Sequence, residues 1–436
     1  MGDAATQRKF SQRAVQTLKL QLRHLSRFTL ELLHQQRTGG TTCAGIRFFF
    51  DILDGNSWPQ SACDSFVSDW NLSALEWSFA LKKDALREFV ASAENWESLQ
   101  CDDDDDDSRI TPLDARRLLL LCGPANYTRW NASKKHLSTL VSSSGDDDSR
   151  LAALLEELHF TSLVLGRAYK LGEVWTHRLW LWNRIIPMIL PRETSQDDDD
   201  ATNFKLQAWV DLHEKNILYD ACHNHPMNLN AWQYRRQMVA LRSGNLLFPL
   251  AASMSHDGTT SSHHFALSTN GLIALLQSHS ESAIAFLRTH HRDASCSRFL
   301  VDLITSAGNI ENRTELDDDD ATFSSAICTL WISLMTLSSR LLAQTCNSGH
   351  ECLWHLRLGL IVFAMRSQMA SKTSLGGNWT VCDELEFVET HTTSVEGCFS
   401  VVSDRLELTS CSGSLLFHQW HAARYGIMLI RLIKGV

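Results

Sequence analysis

The order of apolar and polar residues predicts helices over most of the chain. Leucines at close to helical spacing predict an amphipathic helix over residues 8–36. The apolar side of this helix carries Leu18, Leu22, Leu25 and Phe28. Residues 37–65 contain many Gly, Ser and Thr residues and predict a loop around the short apolar run 48–50. A second helical stretch is predicted from about Leu75 to Val90.

From residue 113 onward the pattern becomes a repeated helix, turn, helix. The apolar stretch from Leu113 to Cys122 ends at Gly123-Pro124, which stops a helix, and a second helix follows with Trp130 near its start. Further pairs of the same build are predicted at Leu151–Leu165 with Trp175–Ile186, and at Leu206–Ala221 with a partner that begins near Pro226. This regular order is typical of a helical-repeat protein.

The stretch Pro226–Arg236 shows how each second helix begins. Pro226 stops the preceding helix, and Asn228 is a favourable N-cap residue. Trp232 and Arg236 then lie four residues apart on one helical face.

The later part of the chain follows the pattern less closely. Residues 284–304 predict a helix with no Trp at the expected place, whereas Ile327–Leu341 and a partner that begins at Cys352 restore the pair. Residues 371–415 are rich in Ser, Thr and Gly and are interpreted as a long insertion. A last helix is predicted at about 417–433.

Helix pairs with one apolar stripe on each helix bury those stripes by stacking on neighbouring pairs. We therefore predict an all-α fold, a right-handed α-α superhelix of the TPR-like solenoid type, with few or no strands before about residue 365. The predicted organisation is N-terminal helices and a linker over 1–109, repeats over 110–365, and an insertion loop with a C-terminal helix over 366–436.

Acidic charge is concentrated in four Asp runs. The 436 residues have a formal net charge of −10, but these runs carry 17 negative charges, so the remainder of the chain is mildly basic at +7. The runs are Asp102–Asp107, Asp146–Asp148, Asp197–Asp200 and Asp317–Asp320. All four fall before or between helix pairs, where a solenoid tolerates insertions best, and we interpret them as solvated, disordered insertions.

The cysteines and the hydropathy favour a cytoplasmic protein. The 12 cysteines include no C-x-x-C pair, which argues against a zinc ribbon and a dense disulfide scaffold and favours a reducing compartment. No uninterrupted apolar stretch reaches the roughly 18 to 20 residues of a membrane span, and the start of the sequence has no hydrophobic signal core.

Several other chemistries receive little support. His223 and His225 could form half of a metal site, but no carboxylate or Cys at helical spacing completes it, and His263-His264 and His290-His291 are similarly isolated. No metal ligand set is predicted. The chain contains no G-x-S-x-G, P-loop or Rossmann glycine motif, and its basic residues are too dispersed for a nucleic-acid surface.

Four segments share the Trp-and-basic pattern, and together they resemble a known family. They read N-Y-T-R-W-N from Asn126, L-G-E-V-W-T-H-R from Leu171, P-M-N-L-N-A-W-Q-Y-R-R from Pro226 and H-E-C-L-W-H-L-R from His350. Their order and gaps resemble the repeat of protein prenyltransferase alpha subunits, centred on N-Y-x-x-W-x-x-R. The divergent branch of alpha subunit repeat-containing proteins is most similar, over about residues 110–365, with a weaker echo near Arg424-Tyr425.

This resemblance implies an alpha-type subunit of a heterodimeric protein prenyltransferase. Such a subunit wraps around a beta subunit, which holds the zinc ion and the prenyl diphosphate, so no cofactor is expected in this chain. The zinc would activate a substrate cysteine as thiolate, which displaces diphosphate from the isoprenoid. Geranylgeranyl, or less favourably farnesyl, would be transferred to a C-terminal cysteine of a protein substrate.

The resemblance also assigns roles to individual residues. Lys170 occupies the place of an alpha-subunit lysine that lies near the diphosphate. The repeat Trp residues are large enough to fill the gaps between stacked pairs, and nearby Arg side chains can cover an indole face or cap a helix. The predicted core residues are Trp130, Trp175, Trp232 and Trp354. The residues expected to bridge helices, or else to face the partner subunit or a diphosphate, are Arg178, Arg235, Arg236 and Arg357.

Departures from the family pattern leave a second hypothesis open. Leu171 and Gly172 replace the Asn and Tyr that usually follow the lysine, and Leu229 and Asn230 stand where Tyr and His are usual. A solvent-exposed lysine at a helix end is therefore the alternative interpretation of Lys170. The alternative for the whole chain is a non-catalytic helical-repeat scaffold that binds peptides.

Overall fold

The structure is a computed structural model of the protein. The structure describes residues 4–37, 47–53, 66–71, 76–82, 90–91, 93–94, 110–143, 146–189, 210, 213–248, 268–311, 320–344, 351–367, 380–391 and 414–434.

Helices dominate the described part of the chain. In chain order they are α1 Ala4–Arg37, α2 Pro112–Cys122, α3 Tyr127–Ser143, α4 Asp147–Ala168, α5 Gly172–Ile189, α6 213–223, α7 Leu229–Arg242, α8 Thr269–Thr289, α9 Ala294–Glu311, α10 Asp320–Gln344, α11 Glu351–Arg366, α12 Val381–His391 and α13 Ser414–Lys434. After α1 they form successive pairs, from α2 with α3 to α12 with α13. The predicted all-α helical-repeat fold is confirmed.

In the chain order, three strands that form a small sheet follow α1 and precede α2. Its strands are β1 Arg47–Leu53, β2 Phe66–Asn71 and β3 Glu76–Lys82, with β3 in the centre, parallel to β1 and antiparallel to β2. The predictions of a loop around residues 48–50 and of a helix beginning at Leu75 are therefore wrong for these strands. Trp77, Phe79 and Leu81 alternate with smaller or polar residues, which is the two-residue period of a strand.

Local capping sets where the second helices begin. Asn126 and Asn228 each accept a hydrogen bond from the backbone N–H three residues later, with N···O distances of 3.1 Å to Arg129 and 3.3 Å to Ala231. Asp293 does the same at the start of α9, at 2.9 Å to Cys296. The interpretation of Asn228 as an N-cap is confirmed, and these caps align the helix starts of three pairs.

The second Asp run has a structural role that the sequence interpretation missed. Asp146 is the N-cap of α4 and accepts hydrogen bonds from the backbone N–H groups of Asp148 and Ser149. Asp147 and Asp148 occupy the first turn, where the helix dipole favours negative charge. The expectation of a disordered insertion is thus wrong at this run. The first and third runs, and the fourth before Asp320, fall outside the described ranges.

The segment 371–415 contains a helix, which corrects its interpretation as insertion alone. Thr380 and Asp383 form a reciprocal cap at the start of α12, with the Thr380 hydroxyl accepting from the Asp383 N–H at 3.2 Å. The predicted last helix corresponds to α13.

The chain divides into two compact units, Met1–Tyr234 and Arg235–Val436. In the first unit, α1 packs on α4, and α4 packs on α5. In the second unit, α9 packs on both α8 and α11, and α10 packs on α8 and α11. The core of each unit consists mainly of leucine, isoleucine, phenylalanine and tryptophan side chains that the sequence pattern placed on inward faces.

Candidate functional site

The four repeat Trp residues lie in the cores of the helix pairs. Trp130, Trp175, Trp232 and Trp354 each expose 3% or less of their surface. Two of them are held in the same way, since each indole Nε1 donates to the carbonyl oxygen six residues earlier. The Nε1···O distance is 2.8 Å from Trp130 to Pro124 and 2.8 Å from Trp175 to Tyr169. Each indole is therefore hydrogen-bonded to the turn that precedes its own helix.

Arg178 bridges three helices from a fully buried position. Its Nε and Nη2 donate to the Glu214 carboxylate on α6, and its Nη1 donates to the Leu158 carbonyl oxygen on α4 at 2.9 Å. The same Nη1 donates to the hydroxyls of Thr161 and Ser162, at 2.7 and 2.8 Å.

Glu214 is the acceptor that the donors of this network share. It also accepts hydrogen bonds from the Tyr234 hydroxyl at 2.7 Å and from the Trp182 Nε1 at 2.8 Å. Burial raises the pKa of Tyr234, and the neighbouring Glu214 charge raises it further, so the phenol keeps its proton and remains a donor.

Arg357 repeats this arrangement in the second unit. It forms an ion pair with Glu384 on α12, and its Nη1 donates to the Ser338 and Ser339 hydroxyls on α10, at 3.2 and 2.6 Å. The Tyr425 hydroxyl donates to Glu384 at 2.6 Å. The carboxylate, the phenol and the two hydroxyls around Arg178 therefore each have a counterpart around Arg357.

We call this arrangement the Arg-Glu cluster. It consists of a Trp, the Arg three residues later, a Glu on the first helix of the next pair, and a Tyr on the second helix of the next pair. The ring centroids are 4.9 Å apart for Trp175 and Tyr234, and 5.1 Å apart for Trp354 and Tyr425, with interplanar angles of 43° and 44°. The cluster fixes how one pair stacks on the next.

In the first pair, the Arg of the cluster comes from the first helix of the pair instead of the second. Ser133 stands three residues after Trp130, whereas an Arg stands three residues after Trp175, Trp232 and Trp354. The guanidinium comes from Arg117 on α2, whose Nε donates to Glu157 at 2.9 Å, and the aromatic is His177, 4.7 Å from Trp130 between ring centroids. The charge pairing is thus preserved although the Arg lies on the other helix of the pair.

Glu157 is charged in this setting. Burial alone raises its pKa, but the Arg117 charge and the hydrogen bond from His177 Nε2, at 3.0 Å, bring the pKa down to about 2. Burial lowers the pKa of His177 despite the nearby carboxylate. A buried carboxylate of this kind is stabilised by its partners rather than by solvent.

The third pair replaces the carboxylate with a histidine. Arg235 donates from Nε to His279 Nδ1 at 3.2 Å and from Nη2 to the His279 carbonyl oxygen at 3.0 Å. The guanidinium lies 5.2 Å from the centre of the Phe299 ring. Its neighbour Arg236 is half-buried, forms an ion pair with Asp302 and lies over Phe248. All four predicted Arg residues therefore bridge helices or connecting segments.

Lys170 lies at the exposed turn between α4 and α5. Its carbonyl oxygen accepts a hydrogen bond from Asn230 Nδ2 at 2.7 Å, and a Cβ at Gly172 would lie 3.5 Å from Asn230 Oδ1. Gly172 and Asn230, which both depart from the family pattern, are thus neighbours in space. The Lys170 charge, after burial, also contributes to a lowered pKa of His225, whose ring stacks on Tyr169.

Histidines considered as half of a metal site are engaged elsewhere. His223 stacks on Tyr219 with ring centroids 5.1 Å apart, and His290 contacts Thr289 and the Phe286 carbonyl oxygen. The His263-His264 pair lies outside the residues that the structure describes. Among those it does describe, no three His, Cys, Asp or Glu side chains come together as a metal site requires.

One described helix is long and apolar enough to cross a membrane. It covers Ala321–Gln344, and half of its most apolar stretch is buried in the protein. This helix, α10, packs against α8, α9 and α11, as a core helix does.

Comparison with known proteins found two relatives from Xenopus laevis. Protein prenyltransferase alpha subunit repeat-containing protein 1-B is 24% identical over 135 residues, which cover 31% of this chain and 29% of the relative. Protein prenyltransferase alpha subunit repeat-containing protein 1-A is 26% identical over 155 residues, which cover 35% of this chain and 32% of the relative. The chain is a distant homologue of prenyltransferase alpha subunit repeat-containing proteins. The match spans about a third of the relatives' length, and no protein-family model matches the chain.

Sequence reasoning missed the carboxylates that pair with the Arg residues and the aromatic residues that pack beside them. In the first two pairs the missed carboxylates follow a fixed spacing, since Glu157 precedes Trp175 by 18 residues and Glu214 precedes Trp232 by 18 residues. The missed aromatic residues follow the next repeat Trp by two, as His177 and Tyr234 do. Both spacings could have identified the cluster from the sequence.

Proposed function

We propose that the chain is the alpha-type subunit of a cytoplasmic, heterodimeric protein prenyltransferase. In this proposal a beta subunit supplies the catalytic zinc ion and the prenyl diphosphate site. The complex transfers a geranylgeranyl group, or less favourably a farnesyl group, to a C-terminal cysteine of a protein substrate. The chain alone has no transferase activity.

The observation that supports this proposal is the recurrence of the Arg-Glu cluster at the positions where the chain resembles alpha subunits. The Arg178 and Arg357 clusters use the same groups, and the first and third pairs use variants of them. Such clusters fix the stacking of pairs and so preserve a binding surface built from several pairs. The homologues' names point to the same repeat.

Lys170 is the residue that we propose for contact with the diphosphate. Its exposed ammonium lies at the turn before α5, where its backbone is held by Asn230, so the side chain is available to an anion brought by a partner. An ammonium on a flexible stem binds phosphate as a point charge.

The test is co-expression with the geranylgeranyltransferase beta subunits of the same organism, followed by size exclusion and a labelled geranylgeranyl transfer assay. The expected result is a one-to-one complex whose transfer requires zinc. Lys170→Ala should then lower transfer at least tenfold while the complex persists. Lys135→Ala, at an exposed position on α3, is the matched control and should leave transfer unchanged. Absence of a complex with every beta subunit would refute the proposal.

The second candidate function is a non-catalytic scaffold, and two observations favour it. Gly172 and Asn230 have replaced residues of the alpha-subunit pattern beside Lys170, and the fourth pair has lost its Trp at Ser297. Zinc analysis separates the candidates. A natural complex purified through this chain should contain zinc if it includes a prenyltransferase beta subunit, and should contain none if the chain is a scaffold alone.

A further inference from the structure

The fourth helix pair lacks the Arg-Glu cluster altogether. Trp232 lies four residues after its cap Asn228, and the same step from the cap Asp293 leads to Ser297. Leu300 stands at the Arg position, and Leu356, two residues after Trp354, stands where His177 and Tyr234 lie in earlier pairs. An indole and an aromatic ring are thus both absent from this one stacking position.

A groove lies beside this stacking position, where Ser297 and Leu356 are themselves buried. It lies between α9 and α11, has a volume of about 850 Å³, and is lined by both Ser297 and Leu356. The helices approach closely along its floor, because a Cβ at Gly359 would lie only 2.6 Å from Val301 Cγ1. The groove is therefore a surface channel whose floor is formed by two helices in contact. It is not a gap between two separated helices.

The length of the groove favours an extended chain over a compact small molecule. Its lining runs from Arg292 to Asn309 along α9 and from Glu351 to Ser367 along α11. At 1.5 Å per helical residue this is about 25 Å. A peptide of about seven or eight extended residues covers the same distance.

The charges in the lining favour an acidic ligand. Asp302 is neutralised by Arg298, with an Nε···Oδ1 distance of 3.0 Å, and Glu351 contacts Arg424 at 3.4 Å. Arg292 and Arg366 are exposed at opposite ends of the groove, and neither forms an ion pair with any residue in the described ranges. The groove thus presents two available guanidinium groups around an apolar centre.

We propose that this groove binds an extended acidic peptide segment of a partner protein, with one large apolar side chain against the half-buried Val301 and Val362. The acidic residues of that segment would pair with Arg292 and Arg366. Arg is the favoured residue for such recognition because its planar fork can bind a carboxylate through two parallel hydrogen bonds. This inference goes beyond the proposed transferase role and does not depend on a beta subunit.

The test is selection of a displayed random octapeptide library on the full-length chain. The expected result is enrichment of peptides in which Asp or Glu residues flank a Trp, Phe or Leu. Affinity of an enriched peptide should fall at least tenfold for R292E/R366E. Val362→Trp, which places an indole in the groove from a half-buried position, should cause a similar loss.

Controls keep the result interpretable. Arg288 and Arg340 are exposed arginines of the same unit that do not line the groove, and R288E/R340E should keep the affinity within twofold of the parent. Because Arg292 and Arg366 are exposed, R292E/R366E should fold even if Val362→Trp does not. The proposal is overturned if no peptide is enriched, if the enriched peptides lack the acidic and apolar residues, or if R292E/R366E binds them as the parent does. Loss of beta-subunit binding in R292E/R366E, without peptide binding by the parent, would also overturn it and assign the groove to that subunit.

Discussion

Arg178 and Glu214 form a buried ion pair in which the Nη2···Oε1 distance is 2.6 Å, although 36 residues separate them in the chain. The pair links the second helix of one repeat to the first helix of the next. Every donor of Arg178 that contacts Glu214 lies in the core, so neither charge can be hydrated if its partner is removed. The same relationship joins Arg357 to Glu384 in the second unit.

Arg178→Met should lower the free energy of unfolding by about 3 to 5 kcal/mol, because it leaves the Glu214 carboxylate buried without its cation. Chemical unfolding of the isolated chain measures this loss. Arg150→Met is the matched control, since Arg150 pairs with Asp147 at an exposed site, where an ion pair is worth about 1 kcal/mol or less.

The double variant Arg178→Met/Glu214→Gln tests the same cluster further. It removes both charges, so its loss of stability should be smaller than the sum of the two single losses. Strict additivity of the two losses would show that the ion pair does not hold the repeats together.

Trp232→Ala should cost about 3 to 5 kcal/mol, since it removes a buried indole and leaves a cavity in the core. Thermal unfolding provides the comparison. Tyr127→Ala is the matched control, because Tyr127 exposes 66% of its surface at the start of α3 and its removal should change stability little. A Trp232→Ala protein that melts with the parent would place the indole outside the core.

The helix pairs could be predicted from the sequence because the information for them is local. Apolar spacing indicated α2 to α5, and the cap at Asn228 and the Trp four residues later were evident from neighbouring residues. The sheet was missed because the alternation of Trp77, Phe79 and Leu81 was interpreted as part of a helix. The period of two, rather than the apolar content, was the decisive signal.

The partners of the Arg residues could not be predicted by the same reasoning. Glu214 lies 36 residues from Arg178, and periodicity gives no information about which residues meet across two helices. Glu384 was harder still, because α12 follows a segment rich in Ser, Thr and Gly that indicated an insertion. For Glu157 and Glu214, the spacing of 18 residues to the next repeat Trp carries that information in the sequence, whereas Glu384 has no Trp at that spacing.

Lowering the pH should destabilise the folded chain at pH values above the range in which its carboxylates titrate. Burial, together with the Arg178 charge, lowers the pKa of His213 from 6.5 to about 3. Between these two values the unfolded chain binds a proton that the folded protein does not, so stability falls as the pH falls below about 6.5. The difference amounts to about 2 kcal/mol at pH 5.

Urea unfolding at pH 7.5, 6 and 5 measures this effect, and His213→Gln should reduce the slope. Some slope should remain, because burial and the neighbouring His213 and Arg178 also lower the pKa of His159. Glu157 adds to the loss at lower pH, since its pKa of about 2 means that its contribution is complete above about 4.5 and declines as the pH falls toward 2. A stability that is flat from pH 7.5 to 5 would show that these histidines are not buried as neutral groups.

Gly359→Ala should destabilise the second unit although alanine favours helices. The new Cβ would lie 2.6 Å from Val301 Cγ1 and 2.8 Å from Val301 Cγ2, which forces α9 and α11 apart or moves a stiff β-branched side chain. Such overpacking costs about 1 to 3 kcal/mol, against a gain of about 1 kcal/mol in helix propensity. Val301→Ala removes the obstructing methyl groups, so the double variant Val301→Ala/Gly359→Ala should be more stable than expected from the sum of the two single changes. A Gly359→Ala protein as stable as the parent, with no such coupling, would mean that the two helices are not in close contact along the floor of the groove.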